Sequence, residues 1–66
     1  MITVISAPSI KVKDILAFSY NGKPRVCAVV EVSEAWFRGE LTDGGFRCFS
    51  HDKIEGEIEH VSNLDN

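Results

Sequence analysis

Several features that would assign this 66-residue chain to a class of protein are missing from its sequence. It has no apolar run near the roughly 18 residues that a transmembrane helix needs, so no membrane association is predicted. The first residues show no basic stretch leading into an apolar segment. We therefore expect no signal peptide and a cytoplasmic location. In that compartment the two cysteines, Cys27 and Cys48, are expected as thiols rather than as a disulfide.

Positive charge is also scarce, because the net charge is −3 at pH 7. Residues 1–51 carry a net charge of +1 and residues 52–66 a net charge of −4, with Glu55, Glu57 and Glu59 forming an acidic stripe. A protein that binds nucleic acid through charge alone is usually far more basic. A phosphate-binding surface is therefore expected only in the first part of the chain, if anywhere.

Motifs for catalysis and metal binding are absent or incomplete. Gly44-Gly45 belongs to a predicted hairpin turn and not to a glycine-rich phosphate loop. Cys48 and His51 are the single pair with a short metal-ligand spacing, and a strand would direct them to opposite faces. Cys27 and His51 could serve as nucleophile and base, but no orienting acid or oxyanion hole accompanies them. We therefore expect no metal, no cofactor, no catalytic residue and no enzymatic activity.

The residues that are present predict a small β protein. Hydrophobic residues make up 44% of the chain and charged residues 26%, which is typical of a folded domain. Asn21-Gly22 and Asp43-Gly44 are strong signals for hairpin turns. Alternating or apolar segments predict five strands, at 15–20, 25–32, 35–41, 45–50 and 54–61, and residues 1–5 could form a further short one.

These elements predict one all-β domain over residues 1–66, a small SH3-like five-stranded bent sheet or barrel. Its core would span residues 15–61, preceded by a strand and turn at 1–14 and followed by a frayed polar tail at 62–66. Within the second strand, period-two alternation assigns one set of side chains to the core: Val26, Ala28, Val30 and Val32.

The segment 46–54 carries the clearest functional signal. In a strand, Arg47 and Phe49 share one face, where a guanidinium could bind phosphate and an aromatic ring could stack on a base. The residues Arg47-Cys48-Phe49-Ser50-His51-Asp52-Lys53-Ile54 resemble the closing segment of the WYL domain, often Arg-Thr-Phe-Arg-Leu-Asp-Arg-Ile. Residues 15–26 are similar to that family's opening hairpin, and Trp36-Phe37-Arg38 partly matches its Trp-Tyr-Leu triplet.

The resemblance, over roughly residues 15–61, implies an SH3-like barrel of the kind found in bacterial and phage regulators. It also implies a non-enzymatic regulatory module that binds single-stranded nucleic acid or a nucleotide. The predicted ligand-binding residues form one arginine and aromatic set: Arg47, Phe49, Arg25, Arg38, Tyr20 and Trp36. Ser50 and His51 stand where the family has arginine and leucine, and no helix-turn-helix precedes the domain.

Two plainer interpretations compete with this one. Arg47 could be an ordinary arginine packed beside a core Phe49 and paired with Asp52. Trp36 could be either a partner-binding anchor or a core residue. The alternative function is a protein-interaction module, a phage- or plasmid-encoded protein that modulates a host protein through its acidic strand and Trp36. The sequence also leaves homo-oligomerisation through a strand edge open.

Overall fold

The computed structural model of the protein describes residues 3–65, which fold into strands joined by short turns. Six strands follow one another along the chain: β1 (Thr3–Ile5), β2 (Asp14–Tyr20), β3 (Lys23–Val32), β4 (Trp36–Leu41), β5 (Phe46–Ser50) and β6 (Ile54–Asn63). Single 3-10 turns at Ala7–Ser9 and His51–Lys53 precede β2 and β6. Among the described residues, no helix is long and apolar enough to span a bilayer.

All six strands belong to one antiparallel sheet in the order β1-β6-β2-β3-β4-β5. The all-β prediction is therefore confirmed, in its bent-sheet form rather than as a closed barrel. The predicted number of strands was one too low, because Thr3–Ile5 pairs with β6 along its whole length. Met1 and Ile2, which were also considered for this strand, lie outside the described residues.

The two predicted hairpin turns are confirmed. Asn21 and Gly22 join β2 to β3 with φ values of 53° and 77°, the left-handed conformation that a two-residue turn between twisted strands requires. In the β4–β5 turn, Gly44 has φ 91° and the Asp43 carboxylate accepts a hydrogen bond from the N–H of Gly45 at 2.9 Å. Local sequence chemistry thus sets the register of both hairpins.

The core lies on one face of the bent sheet, here called the inner face. Four aromatic rings meet there, from Phe18, Tyr20, Phe37 and Phe49. The Phe18 and Tyr20 ring centroids lie 5.0 Å and 4.9 Å from that of Phe49, both edge to face, which is a favourable arrangement for aromatic pairs. Because Phe49 belongs to edge strand β5 and Phe18 to central strand β2, these contacts hold the sheet in its bent shape.

The predicted core face of β3 was wrong. Cys27 and Val29 are the buried residues, at 2% and 1% exposure, whereas Val26, Val30 and Val32 are exposed and Ala28 is half-buried. Cys27 lies opposite buried Leu16 of β2, and the pairing with β4 shifts register between Val29 and Glu31. The set that contains Cys27 and Val29 also contains Arg25 and Glu31 and is the less apolar of the two. Neighbouring strands, rather than hydrophobicity, therefore decide which residues face the core.

The boundaries of the predicted core and tail also require correction. Ile10, which precedes the predicted core range of 15–61, is 4% exposed and belongs to the core cluster. The predicted frayed tail is held in place as far as Asp65: β6 continues to Asn63, Leu64 N–H donates to the Lys13 carbonyl, and the Asp65 carboxylate pairs with the Lys13 ammonium at 3.1 Å. Asn66 lies outside the described residues.

Candidate functional site

The two predicted stacking aromatics are core residues. Phe49 has no exposed surface and Tyr20 is 7% exposed, so neither ring is available to a base in this structure. Tyr20 also uses its hydroxyl oxygen to accept a hydrogen bond from the N–H of Ser50 at 3.1 Å. The sequence correctly placed Arg47 and Phe49 on one face of β5. Burial changes along this strand, however, because the Arg47 side chain is exposed and the Phe49 side chain is fully buried.

The three predicted arginines do not form one continuous patch. Arg47 is exposed and lies opposite Gly39 on the inner face, at the edge of the sheet. Arg38, the residue before Gly39, therefore points to the opposite, outer face, where its guanidinium pairs with the Glu31 carboxylate at 3.0 Å. Arg25 is half-buried at the start of β3, beside a groove lined by carboxylates.

Trp36 is half-buried at the start of β4, opposite Ser50 on the outer face. It lies beside Phe37, which pairs with Val32 at the end of β3. Its position is thus at the far end of the β3–β4 pair from Arg25. Of the six predicted ligand-binding residues, Tyr20 and Phe49 are in ring contact, and this contact lies inside the core.

The cysteines and histidines are separated. Cys27 is buried, and burial raises the pKa of its thiol to about 11, so it carries little thiolate near neutral pH. Cys48 is exposed on the outer face of β5. His51 packs against Phe37, with ring centroids 6.0 Å apart. Within residues 3–65, no three His, Cys, Asp or Glu side chains lie close enough together to hold a metal ion.

A groove on the outer face is lined by three carboxylates. Its volume is about 420 Å³, and β6 supplies one wall through Glu55, Glu57 and Glu59. Strands β2 and β3 supply a mostly apolar floor and opposite wall, from Ala17, Ser19, Pro24, Arg25 and Val26. The acidic stripe predicted from the sequence therefore borders a groove with apolar parts.

A local irregularity of β6 produces this groove. Ala17 pairs with Glu59 and Ser19 with Glu55, so a step of two residues along β2 corresponds to a step of four residues along β6. Gly56 adopts φ 74° in the extra segment, a backbone conformation that glycine tolerates without strain. The bulge lies beside the groove and leaves the three glutamates on the same side of the strand.

The carboxylates of this groove are not neutralised by ion pairs. Among residues 3–65, the ion pairs involve other acidic residues, namely Asp65, Glu31 and Asp14. Glu55 accepts one hydrogen bond, from the N–H of Gly22 at 2.8 Å, which fixes its position against the β2–β3 hairpin. Arg25 is the one basic residue of the lining. It pairs with Phe18 of the inner face, however, so its side chain projects away from the three glutamates, and the groove is a negative surface of three carboxylates.

A buried polar cluster was missed by the sequence analysis. Asp14 is 3% exposed and accepts hydrogen bonds from Lys11 N–H, Asn63 Nδ2 and His60 Nε2, each at 2.8 Å. Burial raises the pKa of Asp14. The hydrogen bonds from Asn63, Lys11 and His60, together with the charge on His60, lower it by a larger amount, so the pKa is below its ordinary value. The cluster borders a cavity of about 260 Å³ that Ser9 also lines.

Comparison with known proteins gives no assignment: no protein-family model matches the chain, and neither does any curated protein or solved structure. The resemblance to the WYL domain therefore stays a prediction from the residues quoted above.

Proposed function

We propose that this protein is a non-enzymatic interaction module that binds a basic segment of a partner protein in the groove between β6 and β3. The observation that supports this proposal is the position of Glu55, Glu57 and Glu59 along one wall, facing the apolar Pro24 and Val26. Such a surface suits lysine and arginine, which combine a long apolar stem with a charged end.

The chemistry of the two walls complements such side chains. An arginine or lysine that crossed the groove could lay its methylene groups on Pro24 and Val26 and direct its charged end to Glu57 or Glu59. Hydrogen bonds between a guanidinium and a carboxylate are stronger than those between neutral groups. Since the groove is open to solvent, each pair would contribute about 0.2–1 kcal/mol, which is typical of exposed ion pairs.

The geometry gives less support to nucleic-acid binding. Phosphates would be repelled by the groove, and Arg38 and Arg47 lie on opposite faces of the sheet. The ring of Phe49, which was expected to stack on a base, is buried. Nucleic-acid binding through Arg47 stays a prediction, and it is measured as a separate arm of the experiment below.

The test uses a synthetic peptide in which Lys and Arg alternate with Val, and a peptide of equal length in which Glu replaces every basic residue. Binding is followed by amide chemical shifts of the labelled protein. We expect the basic peptide to bind and to shift the amides of Ala17, Ser19 and Val26, whereas the acidic peptide leaves them unchanged.

Two variants with the same change of net charge separate groove binding from general attraction. Replacing Glu57 and Glu59 by Gln should weaken binding by about two- to thirtyfold, since two exposed ion pairs are together worth about 0.4–2 kcal/mol. Replacing Glu34 and Glu40 by Gln, both exposed and outside the groove, should weaken it less than threefold. Equal losses in the two variants would show that only net charge matters and would refute the proposal.

The nucleic-acid arm uses a short single-stranded DNA at low salt, where the phosphate contribution is largest. We expect no binding that depends on Arg47. If the wild type binds the oligonucleotide more tightly than the basic peptide, and Arg47→Ala abolishes that binding, the nucleic-acid prediction replaces the present proposal.

A further inference from the structure

Strand β5 forms one edge of the sheet and presents an accessible backbone. Within residues 3–65 it pairs with β4 alone. Phe46, Arg47 and Cys48 are all exposed, Phe46 to 63%. Proline and lysine, which commonly protect edge strands, are absent from β5. The strand is therefore open to pairing with another extended segment.

Two hydrogen bonds show which backbone groups point to this free edge. His51 N–H donates to the Ala35 carbonyl at 2.9 Å, on the side of β4. Ser50 N–H donates to the Tyr20 hydroxyl at 3.1 Å, on the side away from β4. Because successive residues of a strand direct their backbone groups to alternate sides, Phe46 and Cys48 direct their N–H and C=O groups away from β4. These four groups form the free edge.

Pairing with a second copy of the chain is disfavoured by charge. The symmetric antiparallel register that uses all four groups of both chains places Phe46 of one copy opposite Cys48 of the other. Arg47 then lies at the centre of the pair, directly opposite Arg47 of the second copy. Like charges at directly opposite positions destabilise a strand pair. Arg47 thus acts against self-association in the register that the backbone favours.

The same position favours a different partner. Within the described part of the chain, Arg47 forms no ion pair, because those present involve Lys13, Arg38 and His60. A strand with Glu or Asp opposite Arg47 would pair that charge, and its two flanking residues would exchange backbone hydrogen bonds with Phe46 and Cys48. The flanking side chains would lie on the outer face, where the exposed Phe46 ring favours apolar residues.

We infer that the free edge of β5 binds an extended segment of a partner protein with an apolar–acidic–apolar pattern, its acidic residue opposite Arg47. This is strand addition to a sheet edge, in which backbone hydrogen bonds give affinity and one side chain gives selectivity. The site is distinct from the acidic groove, because β4 lies between β5 and the strands that border the groove, and the charge that it selects is the opposite one.

The test uses two synthetic five-residue peptides of Val and Thr that differ only at the centre, one with Glu and one with Lys. We expect the Glu peptide to bind more tightly, and hydrogen exchange of the Phe46 and Cys48 amides to slow when it is bound. Arg47→Glu should reverse the preference, with at least a tenfold loss of affinity for the Glu peptide.

Cys48→Pro provides a backbone control. Proline removes the N–H that points to the free edge and leaves the hydrogen bonds to β4 intact, which is a position that edge strands tolerate. This variant should fold and lose peptide binding, whereas Cys48→Thr, which keeps the N–H, should bind like the wild type. If Cys48→Pro does not fold, the reversal by Arg47→Glu and the amide protection in the wild type decide the question.

Three results would overturn the inference. One is equal binding of the Glu and Lys peptides, and another is tight binding that leaves the Phe46 and Cys48 amides unprotected. The third is a dimer of the free protein, measured by sedimentation, in which the Phe46 and Cys48 amides are protected from hydrogen exchange. That dimer would show that a second copy occupies the edge despite the opposed arginines.

Discussion

The buried carboxylate of Asp14 joins two distant parts of the chain, and its removal tests how much that junction stabilises the fold. The carboxylate accepts hydrogen bonds from Lys11 N–H before β2 and from His60 and Asn63 in β6. Because an ionised carboxylate can only accept, His60 Nε2 must be the donor in its contact. Asp14→Asn keeps the size of the side chain and replaces one acceptor oxygen by a donor.

The expected cost follows from the contacts that are lost. The amide oxygen can still accept the bonds on one side, but its NH₂ group must face a donor on the other. A hydrogen bond to a charged group contributes about 1.5–3 kcal/mol, so we expect Asp14→Asn to cost about 2–3 kcal/mol. A domain of this length has a total stability of about 3–10 kcal/mol, and the loss would be a large part of it.

Urea unfolding monitored by far-ultraviolet circular dichroism measures this loss. With an m-value of about 1 kcal/mol/M for so small a protein, the midpoint should fall by about 2–3 M at neutral pH. The control is Asp52→Asn, an exposed residue of the 3-10 turn before β6, which should change stability by less than about 0.5 kcal/mol.

The pH dependence provides the decisive comparison. The pKa of Asp14 is lower in the folded protein than its ordinary value of 3.8, in spite of burial, because of the hydrogen bonds from Asn63, Lys11 and His60. The contribution of this carboxylate to the free energy of unfolding is therefore fully present well above pH 3.8. It is lost as the pH falls through the pKa of Asp14 in the folded protein. The difference in the free energy of unfolding between wild type and Asp14→Asn should become smaller below pH 3.8. If Asp14→Asn lowers the free energy of unfolding by less than 0.5 kcal/mol at neutral pH, or if its effect does not change with pH, the ionised carboxylate does not stabilise the fold as expected.

Three further predictions concern backbone and thiol positions. Gly39→Ala should lower the free energy of unfolding by about 1–3 kcal/mol through overpacking, since a Cβ there would lie 2.5 Å from the Cys27 sulfur. In urea unfolding, adding Cys27→Ala should restore part of the stability that Gly39→Ala loses. Strictly additive losses would contradict the contact. Gly22→Ala should cost about 1 kcal/mol because φ is 77°, and an unchanged urea midpoint would contradict the turn conformation. A maleimide reagent should label only the Cys48 thiol of the native protein, because Cys27 is buried and its pKa is about 11. The Cys48→Ser variant should not be labelled. Rapid labelling of both thiols would show that the core opens readily.

Features with a local chemical cause were predictable from the sequence. Asn21-Gly22 identified the first hairpin because a two-residue turn needs positive φ, and the structure has it there. The face of β3 was not predictable in the same way. Val26 and Val29 are equally apolar, and only the register with Leu16 on β2 and Gly39 on β4 decides which of them is buried.

Contacts between distant residues were beyond the reach of pattern analysis. Asp14 and His60 are 46 positions apart, and Asp14 and Asn63 are 49 apart. In the sequence, Asp14 stands between Lys13 and Ile15, just before a predicted strand, where an inward-facing carboxylate is costly unless it is hydrogen-bonded. That cost is the one signal that could have suggested partners, and it does not indicate which residues they are.

Arg47 and Phe49 show why a shared face does not define a shared role. They are two positions apart on an edge strand, so their side chains project to the same side of the sheet. The bend brings Phe49 against Phe18 and Tyr20, while Arg47, opposite a glycine, stays in solvent. Because the backbone groups of Phe46 and Cys48, on either side of Arg47, are the free ones, the arginine controls which strand can pair there. In the strand addition that we infer, its charge acts on the selection of the partner strand, and the buried Phe49 offers no exposed ring to a base.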